Sequence, residues 1–407
     1  MNHRSNSLTL PLCLVMALLA AFLFTSPAFA QDEVPPAPEE VPAETELAET
    51  LAETGVVLAD ENGKPVPLAT EEAAKLLAGN DPWFKVGTTK YSYMFDTECP
   101  AGTLDVTCFE SANPIQSAVD DIYNGVFIPT DGTLYFDGGS TYNVDQVVIR
   151  GTPALKKLVG ATDPATGEPT VTINLGSYFG IYNQAAFTMS GFNIYGDTAL
   201  NGEDYGALDI WGNSGTLTLT DLVVRNYASN GTGIIINDHT GAVILQNVDS
   251  SNNQGGGLSI NNYDGSIAPI TIKNSSFDDN HGNSSFANGI SISTRGAVTL
   301  DGVSASGNDG VYIEPELGDQ SLAALQLWDS GNLIIKNSVF NHNDSWAINT
   351  YNHPTGTLVM DNVYANWNLA GIGLDPKGNI TISSLHADGN DYQGAILDTC
   401  WEDETGA

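Results

Sequence analysis

The chain has 407 residues, long enough for two or three ordinary domains or one extended repetitive one. Its 13 Lys and Arg against 49 Asp and Glu give a formal net charge of -36, which repels phosphate backbones and anionic lipid headgroups and argues against nucleic acid or a membrane surface as partner. A hydrophobic share of 42% excludes a wholly disordered chain, and 42 Gly with only 15% charged residues point to strands and turns rather than helical bundles.

Residues 1–30 read as a secretory signal. Arg4 lies in a short polar start, Leu8 to Phe24 is almost continuously apolar, and Ala28-Phe29-Ala30 offers small residues where a signal peptidase reads. The apolar run is shorter than the ~20 residues that span a bilayer, so no membrane insertion is expected after cleavage, and the expected location is secreted, extracellular or cell-surface. Residues 31–80 read as an acidic, Pro-rich disordered linker: Gln31 to Glu61 holds ten acidic residues and no basic one. Cleavage leaves three cysteines. Cys99 and Cys108 bracket Pro100-Ala101-Gly102 and are expected to form a local disulfide, and Cys400 is left over.

Residues 81–133 read as an N-terminal cap region, with ordered sequence starting near Asp81-Pro82-Trp83-Phe84. Within it, Pro114 to Tyr123 predicts a short amphipathic helix, because Ile115, Val119 and Ile122 share one face. It has too few apolar positions to stand alone and is expected to cover the end of something larger. Leu134-Tyr135-Phe136 then predicts a short strand.

From residue 134 to 407 the dominant signal is a repeat. Apolar–x–apolar triplets open at Leu217, Val243, Ile270, Val298, Leu333, Leu358 and Ile380, at intervals of 26, 27, 28, 35, 25 and 22 residues, with a weaker copy at Phe187. Four residues after each start stand Asp221, Asn247, Asn274, Gly302, Asn337, Asn362 and Ser384, all residues that tolerate a left-handed turn. Ten after each start stand Tyr227, Asn253, Asn280, Asn308, Asn343, Asn368 and Asn390. Such a unit cannot bury its apolar face alone, whereas stacked units share one core with strands about 4.8 Å apart. The segment from Glu314 to Asp329 is expected to be a long loop that absorbs the widest interval. The last coil begins at Ile380 and no capping helix is expected after Asp398-Thr399-Cys400. The solenoid is therefore expected either to be cut short at its C-terminal end or to meet another chain there.

Gly289-Ile290-Ser291-Ile292, Val298-Thr299-Leu300 and Ile270-Thr271-Ile272-Lys273-Asn274 carry a resemblance to the right-handed parallel β-helix repeats of the pectate-lyase-like superfamily. The resemblance spans roughly Leu134 to Thr399. It implies an all-β solenoid of about nine to ten coils, an N-terminal capping helix, and a side-chain ladder formed by the Asn row. It does not imply one chemistry, because the superfamily holds lyases, hydrolases, epimerases, tailspikes, adhesins and modules with no known reaction.

No complete catalytic block of a lyase or hydrolase is found. Asp278-Asp279-Asn280-His281-Gly282 partly resembles a hydrolase motif, but Asp279 and Asn280 fall at turn positions of the repeat. Asp238-His239, His342, His353 and His386 fall among turns and are expected to face solvent. Along the Gly-initiated strand, alternation places Asp209, Ile235, Ser259, Ser291, Tyr312 and Gly373 in one outward row, and Trp211, Asn237, Asn261, Ser293, Glu314, Asp375 and Asp398 in the next. Ligand-binding candidates are Tyr182, Trp211 and Tyr312 for ring stacking, with Asn237 and Asn261 for hydrogen bonding. Catalytic candidates are Asp209, Glu314, Asp375 and Asp398, where neighbouring carboxylates approach the separations of glycosidase pairs. The same acids also serve simply to keep an exposed sheet soluble. No metal site is assigned and no cofactor is expected, though neighbouring Asp are suitable ligands for calcium. The expected role is a non-catalytic surface module contacting polysaccharide or another cell-surface ligand, and the alternative is a polysaccharide lyase or glycoside hydrolase. The oligomeric state is left open.

Overall fold

The computed structural model describes residues 82–94, 106–196, 206–227, 231–262, 267–282, 288–310, 323–328, 330–351 and 356–397, all within one compact unit, Glu71–Ala407. The signal segment, the tether, Cys99, the side chain of Cys108, Cys400, Tyr312, Glu314 and Asp398 lie outside the described residues.

Among the described residues the strands form a fifteen-stranded sheet, a ten-stranded sheet and a two-stranded sheet. Each solenoid strand pairs in parallel with its counterpart one coil later, as Leu217↔Val243↔Ile270↔Val298 and Leu208↔Ile234↔Leu258↔Ile290. Among the described strands only Pro82–Val86 pairs antiparallel, with Thr89–Met94 and with Thr133–Phe136 at the N-terminal end, and one isolated antiparallel bridge joins Thr162 and Pro169. The chain is therefore an all-β parallel β-helix, and the ten-stranded sheet counts ten rungs.

The repeat registers as the triplets predict. All seven triplet residues, Leu217 to Ile380, begin strands of the fifteen-stranded sheet. The residue four later has a positive φ in every case, from 46° at Asn274 to 67° at Gly302. That residue bends one strand into two arms, so Leu217–Arg225 supplies two faces of its coil. In the earliest coils the arms are still separate: Lys157–Gly160 and Val171–Leu175 pair with the two halves of Phe187–Gly196, on either side of Gly191. A Cβ on Gly191 would lie 2.2 Å from the Gly160 carbonyl oxygen, so this bend requires glycine for space as well as for φ.

Inward positions form one core; Leu217, Leu219, Leu222 and Val224 are buried, as are their counterparts through Leu358, Met360 and Val363. Seven residues after each start the volumes alternate along the axis: Ser250, Phe277, Ala305, Phe340 and Ala365. Each Phe fills the space its small neighbours leave, which keeps the stack at interior packing density. The Asn row forms the expected ladder. The backbone N–H and the Nδ2 of Asn280 both donate to Asn308 Oδ1, at 3.0 and 3.1 Å, and the same double link joins Asn253 to Asn280, Asn308 to Asn343, Asn343 to Asn368 and Asn368 to Asn390. Buried amides thus satisfy one another at the sharpest corner, where sheet pairing alone leaves donors unpaired.

The helix Pro114–Tyr123 forms as predicted. Asn113 caps it by accepting from the Gln116 N–H at 3.0 Å, and Ile115, Ala118, Val119 and Ile122 are buried. It also closes the edge of the ten-stranded sheet: Gln116 accepts from the Val148 N–H at 2.6 Å and donates to the Val148 carbonyl at 3.1 Å. An exposed edge strand is thereby blocked by one side chain.

One stretch departs from the expectation. The rung after Ile290–Ser293 is Ala323–Trp328, and a further rung, Trp346–Tyr351, precedes Ala370–Leu374. Part of the expected loop from Glu314 to Asp329 is thus a strand. Gln326 and Trp328 occupy the outward positions expected for Tyr312 and Glu314. The decoy was Gly310, which belongs instead to the two-stranded pairing of His281–Gly282 with Asp309–Gly310. These two rungs carry Ala324 and Ala347 where the rungs of Ile234, Leu258, Ile290 and Ile372 carry Gly233, Gly257, Gly289 and Gly371, so the Gly signal is absent from them.

Candidate functional site

The outward face of the ten-stranded sheet carries two rows of side chains. Register aligns Arg150, Tyr182, Trp211, Asn237, Asn261, Ser293, Trp328 and Tyr351 in one row. The parallel row runs Val148, Gly180, Asp209, Ile235, Ser259, Ser291, Gln326, Asn349 and Gly373. The expected placements of Tyr182, Trp211, Asn237, Asn261 and Asp209 therefore hold as positions on this face.

Three rungs at its N-terminal side form a connected group. Gly180 lets the Tyr182 ring lie across the sheet, since a Cβ there would sit 2.5 Å from Tyr182 Cε2. The ring crosses one rung, and its hydroxyl donates to Asp209 Oδ2 at 2.7 Å. Asp209 is only 3% exposed, because Tyr182 covers it. Burial pushes the Asp209 carboxyl up, an effect that the Tyr182 hydrogen bond partly offsets. Burial, and then the neighbouring carboxylate, also raise the Tyr182 phenol. The Arg150 guanidinium stands over the Tyr182 ring, with Cζ 6.0 Å from its centroid. On the next rung Trp211 is 48% exposed, and its Nε1 donates to Asp238 Oδ2 at 2.6 Å. Asp238 is turned to meet it by a left-handed backbone, φ 51°. An open cleft of about 420 Å³ adjoins this group, lined by Gln116, Asp120, Tyr123, Gln146 and Arg150 between the helix and the first rung. A larger open cleft of about 600 Å³ lies between Asn143, Asn174 and Asn226, with no aromatic ring in its lining. The chemistry favours the smaller one.

The C-terminal side of the face is arranged differently. The Asp375 backbone N–H donates to Thr350 Oγ1 at 3.1 Å. Leu374 pairs with Leu397, and Asp398 lies outside the described residues. Asp209 and Asp375, the two catalytic candidates that are described, stand six rungs apart, about 29 Å at strand spacing. That is far outside the roughly 5 to 9.5 Å of glycosidase carboxylate pairs, so these two do not act together. Among the described residues no group of three or more His, Cys, Asp or Glu could hold a metal ion. No helix among them is long and apolar enough to cross a membrane.

One residue differs from the sequence reading. His239, expected at a solvent-facing turn, is 1% exposed; burial lowers its pKa, and the Asn262 side chain accepts from its backbone N–H at 2.9 Å. With Asn213, which accepts from the Gln184 N–H at 2.5 Å, it forms a second, shorter polar stack at a different corner. Asp278, in the hydrolase look-alike, has its carboxyl raised by burial, while Ser304 and the Ser306 N–H bond to it. Asn280 of that motif belongs to the ladder, so the segment is a structural corner.

Comparison with protein families matches residues 206–383 to the right handed beta helix region. The solenoid is accordingly a right-handed parallel β-helix, in keeping with the resemblance to the pectate-lyase-like superfamily. No curated protein and no solved structure matches the chain.

Proposed function

We propose that the chain is a secreted or cell-surface β-helix module that holds a polysaccharide, or another cell-surface ligand rich in hydroxyls, without chemical turnover. The observation that carries this reading is the pair of anchored rings on adjacent rungs. Tyr182 is tied to Asp209, and Trp211 is tied to Asp238 while half of its surface stays open. Rings held before the ligand arrives lose little conformational entropy on binding, and their faces suit the C–H faces of sugars. Asn237, Asn261 and Ser293 continue the row with hydrogen-bonding groups and no charge. Arg150 at the head of the row offsets locally the negative field that otherwise disfavours acidic polymers; elsewhere along the face, calcium is the bridge such polymers would need.

One observation favours the alternative of a lyase or hydrolase: the buried Asp209 carboxyl, raised by desolvation, stands on the same face. One assay separates the two. The mature protein is titrated calorimetrically with neutral and acidic polysaccharides, with and without calcium, and the mixtures are assayed for new reducing ends and for unsaturated products. Binding without either product supports the module. Product that disappears in Asp209→Asn supports the enzyme, and absence of both binding and product refutes both.

A further inference from the structure

The middle of the ten-stranded face carries no charge among the described residues. After Trp211, register sets Asn237, Asn261, Ser293 and Trp328 in one outward row. The other row runs Ile235, Ser259, Ser291, Gln326 and Asn349. The four coils that supply Ser259, Ser291, Gln326 and Asn349 carry Lys273, Asp301, Lys336 and Asp361 on their other sheet, one charge on each. The contrast lies within single coils, so the composition of the chain does not produce it. Asp209, at the head of the stretch, is hidden beneath Tyr182.

This limits which polysaccharide fits. An acidic polymer would bring its anionic groups along rows that offer no cation to meet them. Calcium bridging draws on carboxylates from both partners, and these rows supply none. Amides and hydroxyls instead match sugar hydroxyls as donors and acceptors.

Rings bound the stretch on both sides. Trp211 is 48% exposed, and half-buried Trp328 stands four rungs further along the same row, about 19 Å at strand spacing. Beyond it, a Cβ on Gly373 would sit 3.0 Å from Trp346 Cζ3, so a second ring lies over a glycine of this face as Tyr182 lies over Gly180. Between the rings each rung adds one hydrogen-bonding group: Asn237, Asn261, then Ser293. An extended pyranose chain advances by close to one strand spacing per sugar. A chain laid along the solenoid axis therefore meets one side chain of this row per sugar and a ring at either end.

Taking the module reading as premise, we infer that the ligand of this face is a neutral, linear, extended polysaccharide that lies along the solenoid axis and is read over about six sugars, from Tyr182 to Trp328. Recognition is then a matter of length as well as of chemistry, because a short chain reaches the rings at one end only.

Calorimetry of the mature protein with neutral gluco-, manno-, xylo- and galacto-oligosaccharides of increasing length, beside a galacturonate series with calcium, tests this. Affinity for at least one neutral series should rise with each sugar up to about six and level off beyond. Trp328→Ala should weaken a chain of about six sugars by about tenfold and a chain of about three by under about twofold, whereas Trp211→Ala should weaken both. Should Trp328→Ala unfold, Asn261→Ala, at an exposed position midway along the row, replaces it and should likewise affect only the longer chain. Stronger binding of the galacturonate series overturns the neutral assignment. Affinity that ignores length, or a loss in Trp328→Ala that is equal for short and long chains, overturns the axial placement. Absence of binding to every series overturns the module reading together with the inference, so the two failures are told apart.

Discussion

The outward faces of the two large sheets are built on the same coils with the same spacing, yet their side chains are arranged to opposite effect. On the fifteen-stranded sheet the row three residues after each start reads Lys273, Asp301, Lys336 and Asp361 in direct register. Asp301 and Lys336 each lie between opposite charges, Lys273 and Asp361 each have one opposite neighbour, and the acids also accept from neighbours: Asp301 from Asn337 Nδ2 at 2.9 Å, Asp361 from Ser383 Oγ at 2.8 Å. That face satisfies itself. On the ten-stranded sheet Arg150, Tyr182 and Trp211 are oriented but leave a cation and a ring face open. The lesson is that periodic pairing satisfies the groups of one face among themselves, whereas interruption of the period on the other leaves groups open, as the proposed ligand face requires.

The comparison is broken most severely at the corner both faces share. Asn280→Ala removes the acceptor for two buried donors of Asn253 and should cost about 3 kcal/mol by urea denaturation, with both faces lost together. A loss below 1 kcal/mol would mean that the amide ladder is decorative. Next, Trp211→Ala should weaken polysaccharide binding by about thirtyfold, or ~2 kcal/mol, in calorimetry while the fold is retained. A smaller effect belongs to Asp209→Asn, which keeps an acceptor for the Tyr182 hydroxyl. Because burial raises the native Asp209 carboxyl above 3.8, the native state holds its proton more tightly than the unfolded chain. Wild-type stability should therefore decline as pH rises from 3.8 through the raised native value and level off above it. The variant lacks that decline, so its deficit, on the order of 1 kcal/mol at low pH, should shrink as pH rises, and a constant deficit would contradict the assignment. The smallest effect is expected on the self-satisfied face. Lys336→Ala should change stability by under about 0.5 kcal/mol and leave binding untouched.

Much of the solenoid was legible because its constraints are chemical and local. A left-handed bend accepts few residue types, so Asp221, Asn247, Asn274 and Gly302 identify it, and an amide ladder requires Asn. A second left-handed position stands nine residues after each start, at Asn226, Asn252, Asp279, Gly307, His342, Trp367 and Gly389, and His342 and Trp367 blur the Asn, Asp and Gly pattern that marks it. The rungs at Ala323–Trp328 and Trp346–Tyr351 were missed because Ala replaced the expected Gly while Gly310 imitated it. Of the site, the rows could be read from alternation. The contacts that orient it could not, since Trp211 to Asp238 and Tyr182 to Asp209 cross rungs 27 residues apart in sequence. His239 misled for a similar reason: a polar residue in a turn is hidden only when the next coil stacks on it.

The most direct test of the ligand face is hydroxyl-radical footprinting of the mature protein with and without the best-binding polysaccharide. Oxidation of Trp211 and Tyr182 should fall on binding while Lys336 and its neighbours on the fifteen-stranded sheet react as before. Unchanged oxidation of Trp211 alongside protection on the opposite face would contradict it.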